Sequence, residues 1–371
     1  MQVSTEIKPE GSNRFNNRAC VKLRRRKTGA GVTALIFCCL ALAASCKKGV
    51  VYQPDPRDTP PLTPLVSVMY DCGALGDLGY NDLIYRGVED AARRYGLRTL
   101  QLSPSSWDEG MESLQALFDQ TSSAKDTVRR LLIVAGASYD NFVRSHCKSL
   151  ESNPNAHLLY LETSTPLEGK GSTLYLSYYG AMYAAGAIAP SVSPEVLLVA
   201  ANPRNESVKK AKDGFSDGFR SGHISTAQES TLASCYLSDS ADGGFSVADS
   251  TALRLMYKRE WQGNRHLLVP ICGGSASTFY RMCDLLDGYE YMGIDVPVLS
   301  PDCPFSVVKH IDRAVGLCIG QWLSPEGMPK HQSFSLADGY AEVVMHEDIV
   351  SDEVWKAIHE EAMKKEAEYE R

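Results

Sequence analysis

Residues 69–102 read MYDCGALGDLGYNDLIYRGVEDAARRYGLRTLQL, and the fold follows from this stretch. An apolar run, Leu65, Val66, Val68 and Met69, enters it and predicts a buried strand. A loop with glycines at 73, 76 and 79 comes next. From about Asn81 to Tyr95 the apolar residues Leu83, Ile84, Val88 and Ala91 recur at helical spacing, and Gly96 stands where a helix stops. Arg98–Leu102 predicts a second strand, completing a β-α-β unit. Such a unit sets the loop at the carboxyl edge of the sheet, where α/β folds bind ligands. The loop offers Asp71, Asp77, Tyr80 and Asn81. Two acids, a ring and an amide suit a neutral polar ligand with a flat face and hydroxyls; they would repel a phosphate. The same Asp and Asn side chains also serve as turn formers and helix caps.

Strand, loop and helix then alternate along the chain. Helices are expected at 107–122, 141–150, 174–190, 207–221, 252–260, 278–287 and 351–371. Strands are expected at 131–135, 157–161, 196–200, from Thr231, at 266–271, 296–300 and 338–344. The pattern predicts two α/β lobes of the periplasmic-binding-protein type, with parallel sheets flanked by helices and a ligand cleft between the lobes. The expected boundaries are 65–165 for lobe 1 and 166–302 for lobe 2. Residues 303–371 return to lobe 1 and supply the last strand and the C-terminal helix. Asp140 follows a strand and can cap the helix after it. Asn202 ends another strand, where it suits a sugar hydroxyl. Gly273 and Gly274 end a third, and no Gly-Lys-Ser/Thr follows, so this is not a P-loop.

At these residues the chain resembles the basic membrane protein family of substrate-binding lipoproteins, which includes purine nucleoside receptors of ABC importers. The family opens with strand-Asp-x-Gly, then Asp-x-Ser-Phe-Asn, then a helix ending in Gly. Asp71-Cys72-Gly73 and Asp77-Leu78-Gly79-Tyr80-Asn81 stand in those places, with Tyr80 for the usual Phe and Gly79 for the usual Ser. The resemblance runs with gaps from about Leu65 to Val344. It implies that Tyr80 stacks on a ligand ring, that Asp140 contacts a base, and that backbone at Gly273-Gly274 comes close to ligand. It also implies that Asp302 grips a ribose, with Asp295 the runner-up, and that Lys309 faces the cleft from a helix covering Phe305–Asp312. The family's Phe-x-x-Gly-Phe-x-x-Gly pattern falls on residues 211–218, where Ala211 replaces the first Phe, an aromatic wall of the base site.

The amino terminus is a targeting segment rather than part of the fold. Lys22, Arg24, Arg25, Arg26 and Lys27 precede a short apolar run, Gly31–Ala44, and then Ser45-Cys46. The expectation is a lipoprotein signal over residues 1–45, with Cys46 lipidated and Lys47–Pro64 a Pro-rich tether. An ordinary cleaved signal or a membrane anchor is the alternative. Of the 371 residues, 44% are hydrophobic and 22% charged, as in ordinary globular chains. The leader holds 8 basic and 2 acidic residues, so its removal takes the formal charge from −7 to −13. That acidity, with no helix-turn-helix ahead of the lobes, disfavours nucleic acid as a partner. None of the 11 cysteines forms a C-x-x-C, and no His pair sits at ligand spacing, so neither a metal nor a cofactor is expected. The seven cysteines beyond Cys46 are expected to be mostly buried small apolar residues. The expected function is therefore a non-catalytic receptor handing a nucleoside or similar small polar molecule to an ABC permease from the cell envelope. The alternatives are a sensing lipoprotein without an importer and a hydrolase; no Gly-x-Ser-x-Gly is present to favour the latter.

Overall fold

The computed structural model describes residues 62–71, 75–125, 127–222, 229–240, 243–257 and 266–371. The expected leader, Cys46 and the tether up to residue 61 lie outside them, as do Cys72 and Gly73 of the opening loop. No helix among the described residues is long and apolar enough to cross a membrane.

Strand β1 (Leu65–Met69), helix α1 (Tyr80–Tyr95) and strand β2 (Arg98–Leu102) form the opening unit, with β1 parallel to β2 in the register Leu65 to Arg98. Gly96 ends α1 at φ +63°, a conformation that an L side chain resists. After it come α2 (Trp107–Ser122), β3 (Arg130–Val134), α3 (Asp140–His146), β4 (Ala156–Leu161) and β5 (Gly171–Leu176). Alternate residues of one strand face opposite sides of the sheet. Leu131 and Ile133 pack with Leu83, Ile84 and Val88 of α1, while Leu132 and Val134 pack with Leu114 and Phe118 of α2. Both faces are covered, as a parallel sheet requires.

The second lobe begins with α4 (Tyr179–Val192), an apolar helix buried from Tyr179 through Pro190. It continues through β6 (Glu195–Ala200), α5 (Glu206–Arg220), β7 (Thr231–Tyr236), α6 (Asp249–Tyr257), β8 (His266–Ile271), α7 (Ser275–Leu285) and β9 (Tyr289–Tyr291). Its parallel sheet runs β7-β6-β8-β9. The small residues of α4 bring α5 close: a β-carbon at Gly218 would fall 1.9 Å from the Tyr183 carbonyl oxygen. Phe215 is buried in this core.

Strands β10 (Gly293–Asp295), β11 (Phe305–Lys309) and β13 (Ala341–Met345) make a third, small sheet, in which β11 is parallel to β10 and antiparallel to β13. Between β11 and β13 the chain runs back through α8 (Ile311–Leu323) and β12 (His331–Phe334). α8 packs on α1, and β12 completes a six-stranded parallel sheet in the order β12-β5-β4-β3-β1-β2. Helix α9 (Asp352–Tyr369) then packs on α4. The chain thus passes between the lobes at Ser177, at His310 and again after Phe334. Both lobes belong to one compact unit, Pro61–Arg371.

Four expectations differ from this arrangement. Residues 303–371 do not all return to lobe 1: α8 and β12 join it, whereas β11, β13 and α9 pack into the core of the second lobe, because the apolar faces of Val307, Ala341, Ile358 and Ala362 are buried there. The first sheet extends past residue 165 to Leu176, because Ser172, Thr173 and Tyr175 fit a strand in the sheet interior and the helix starts only at Tyr179. Residues 296–300 are not a strand; the strand is Gly293–Asp295, immediately before them. Phe305–Lys309 is a strand rather than a helix, since Val307 and Val308 favour the pleat and all five residues are buried between neighbours. Helix α8 starts only after His310.

The passages between lobes are tied together by a buried acid on α9. Glu366 is 3% exposed and accepts hydrogen bonds from Ser177 Oγ (2.6 Å), Gly180 N (3.0 Å) and Leu336 N (3.0 Å). One carboxylate therefore binds two of the three crossing segments. Burial pushes its pKa up despite these donors.

Candidate ligand-binding cleft

The carboxyl edges of the sheets in both lobes meet at one seam. Lobe 1 brings the ends of β1, β3 and β4, and lobe 2 brings the ends of β8, β10 and β11. A β-carbon at Gly79 would lie 3.2 Å from Asp295 Oδ2, and one at Gly274 would lie 3.7 Å from Asp77 Cβ. Glu162 reaches across to Ser207 of α5 and to Lys309.

The opening loop folds on itself. Asp77 accepts from Gly79 N (2.9 Å), Asn81 N (3.1 Å), Asp82 N (3.3 Å) and Asn81 Nδ2 (2.8 Å). Asp82 accepts from Gly76 N (2.8 Å) and Leu78 N (2.9 Å). The bonds to Asn81 N and Asp82 N satisfy amides of the first turn of α1, so Asp77 acts first as a cap, and Asn81 donates its side-chain amide to it. These bonds also hold Tyr80 in place.

Tyr80 is the centre of the seam on the lobe 1 side. Its hydroxyl is buried and makes no hydrogen bond of normal geometry, although Glu162 stands near it. Burial raises its pKa well above the usual tyrosine value, and the nearby carboxylates of Glu162, Asp295 and Asp71 push the same way. The Lys309 ammonium lies 5.0 Å from the Tyr80 ring centre and 5.2 Å from that of Tyr178, within the range of cation–π attraction. Lys309 sits at the end of β11 instead of on a helix, and its ammonium reaches the seam.

Asp295, at the carboxyl end of β10, is 8% exposed and held at φ +66°. The Tyr178 hydroxyl lies 3.5 Å from Asp295 Oδ1 but 2.8 Å from the Val307 carbonyl. A hydroxyl has one proton to give, and the shorter bond takes it. Burial pushes the Asp295 carboxyl from 3.8 up to about 6; Lys309 pulls it down, and Asp77 and Glu162 push it up again.

Asp71 and Asp140 lie together at the lobe 1 edge, and both act electrostatically on the Tyr160 phenol. Asp71 accepts from the Ser138 hydroxyl. Asp140, in the first turn of α3, is held by Arg144 at 2.9 Å, and Arg144 in turn donates to Thr163 (3.0 Å). Gly273 takes φ +51°, and the Gly273-Gly274 turn lies against Phe245: a β-carbon at Gly273 would sit 3.1 Å from the Phe245 ring.

Two expected residues do not join the seam. Asn202 is fully buried, with Oδ1 accepting from Arg204 N (3.0 Å) and Asn205 N (2.8 Å) and Nδ2 donating to Gly243 O (2.8 Å). These bonds build the loop before α5. Asp302 is exposed in the turn before β11, where its carbonyl accepts from Tyr291 N (2.8 Å). Because β10 and β11 are parallel, that turn lies at the opposite end of the sheet from Asp295. The runner-up, Asp295, occupies the seam instead. Sequence reading missed Glu162, Tyr178 and Phe245. Glu162 directly follows an apolar strand, the same signal that marks Asp71.

No family model matches the chain, and no curated protein matches it. Solved structures do. An ABC transporter solute-binding protein from Aeropyrum pernix K1 superposes with a TM-score of 0.63 at 15% identity, covering 82% of this chain and 92% of that one. A transcriptional activator of the comK gene from Bacillus halodurans gives 0.60 at 17%, covering 81% and 97%. An ABC transporter solute-binding protein from Conexibacter woesei gives 0.56 at 12%, covering 83% and 98%. Likeness at this identity speaks for the fold, which serves proteins of different duties. The chain has the two-lobed α/β fold in which periplasmic solute-binding proteins are built.

Proposed function

We propose that this protein is a non-catalytic solute receptor that closes two lobes around a nucleoside or similar neutral polar molecule and presents it to an ABC permease. The observation that carries the proposal is the seam itself: Tyr80, Asp295, Glu162 and Lys309 come from distant parts of the sequence and converge at the carboxyl edges of two facing lobes. The acceptors outnumber the ammonium groups there, which favours a ligand bringing O–H and N–H donors. Tyr80 offers a ring for a planar group. The fold likeness to ABC solute-binding proteins supports the transport role, and the leader pattern supports anchoring through lipid on Cys46 at the cell envelope. In this reading Asp71, Asp140 and Asp295 supply the acidic contacts, with Asp77 and Asn81 shaping the loop and Gly273-Gly274 letting backbone approach. No cofactor or metal has a part in it. Native mass spectrometry of the full chain from its own cells is the test. A nucleoside-sized mass that leaves on mild activation supports the proposal; a phosphorylated or strongly anionic passenger overturns it.

A further inference from the structure

We infer that Glu162 is an interlobe clasp, a positioning residue that holds the two lobes together through Lys309 and Ser207. This deepens the receptor reading, since it concerns what controls opening of the same cleft. Glu162 is the first residue beyond β4, and its backbone is still pinned to lobe 1 by a 2.8 Å bond from its N–H to Leu174 O. It takes φ +60°, a left-handed conformation that non-glycine residues adopt only when the surroundings demand it. The turn throws the side chain out of the first sheet and across the seam. There its two oxygens split their work. Oε1 meets Lys309 Nζ at 2.8 Å, and Oε2 accepts from Ser207 Oγ at 2.6 Å. Lys309 ends β11 of the small sheet, and Ser207 lies in the first turn of α5, so one lobe 1 carboxylate grips two separate elements across the seam. The amino end of α5 adds its partial positive charge to the site. Ser164, two residues on, makes a longer contact of the same kind with Glu206 of α5 (3.5 Å).

The clasp is suited to reversible use. The Glu162 and Lys309 side chains are 10% and 5% exposed, so closing strips both charges of water. In a buried pair that loss nearly cancels the attraction, and the bond tips the lobes together without locking them. Lys309 also lies against the Tyr80 ring, so a ligand settling on Tyr80 touches the clasp directly. Asp295, held at φ +66° on the strand beside β11, is a second buried carboxylate that acts electrostatically on the same ammonium. Both strained acids of the seam therefore act on one lysine.

Hydrogen exchange on the ligand-free full chain, read by mass spectrometry, tests the clasp independently of any ligand. Glu162→Gln keeps size and removes the charge. Exchange should speed up tenfold or more in peptides covering 160–165, 205–210 and 305–310, while the β3 and β8 cores exchange as in wild type. Ser207→Ala should give a smaller change in the same peptides. Unchanged rim exchange in Glu162→Gln overturns the clasp, and so does a rise spread evenly over rim and cores, which marks a merely structural residue. In a parallel arm adenosine is the probe, and Glu162→Gln should raise its dissociation rate. If adenosine and the other common nucleosides fail to bind wild type, the receptor reading fails while the exchange result on the clasp stands.

Discussion

Replacing Asp295 by Asn should stabilise the ligand-free protein, and the gain should depend on pH in a fixed way. The Asp295 carboxyl is buried and its pKa rises from 3.8 to about 6. The folded state therefore holds the proton more tightly than the unfolded one. The group's contribution to stability is fully present below about pH 4 and is lost as pH rises through 6. Two decades in proton affinity at about 1.36 kcal/mol each amount to about 3 kcal/mol by pH 8. Asn keeps the shape and carries no charge, so it escapes this penalty. Lys309 is not orphaned by the change, because Glu162 holds it at 2.8 Å. Urea unfolding of wild type and Asp295→Asn at whole pH values from 4 to 8 makes the comparison. The variant should be more stable by up to about 3 kcal/mol at pH 8, the gap shrinking through pH 6 and vanishing near 4. A variant less stable than wild type at pH 8, or a gap that ignores pH, would refute the claim that burial dominates this carboxyl. Retention of a destabilising acid at the seam fits the usual trade between stability and a functional site.

Two further outcomes are expected. Tyr80→Ala should weaken nucleoside binding by about 1–3 kcal/mol, the scale of base–aromatic stacking, whereas Tyr80→Phe keeps the ring and should bind within twofold of wild type; titration calorimetry decides, and equal affinity for all three would remove Tyr80 from the site. Growth with a fatty-acid probe should label the wild-type chain and leave Cys46→Ala unlabelled, and equal labelling would remove the lipid anchor.

The opening unit was legible because its signals are local. Strand β1, helix α1 and the Gly96 stop each rest on residues a few positions apart, and the structure reproduces them closely. The second half of the seam was harder. Phe305–Lys309 matches a helical family pattern, but its buried, Val-rich sequence fits the interior of a sheet. With that segment a strand parallel to β10, Asp302 lies at the far end of the sheet and Asp295 at the seam. The role of Glu162 had no local signature at all. What singles it out is a positive φ and two partners 45 and 147 positions away, both products of the tertiary fold. Asp77 shows the converse: its residue type fits ligand contact and capping equally, and only the hydrogen bonds reveal the capping.

The central claim is that this seam takes a neutral ligand rich in donors, and isothermal titration of the full chain with nucleosides and with their 5′-monophosphates addresses it most directly. The account predicts that at least one nucleoside binds and that its monophosphate binds at least tenfold more weakly, because a phosphate would face Asp71, Asp295 and Glu162. It also predicts that Asp71→Asn and Asp295→Asn each weaken nucleoside binding by about 1.5–3 kcal/mol, the scale of a hydrogen bond to a charged group, while Asp302→Asn leaves it unchanged. Tighter binding of the monophosphate, or loss of binding in Asp302→Asn alone, would contradict it.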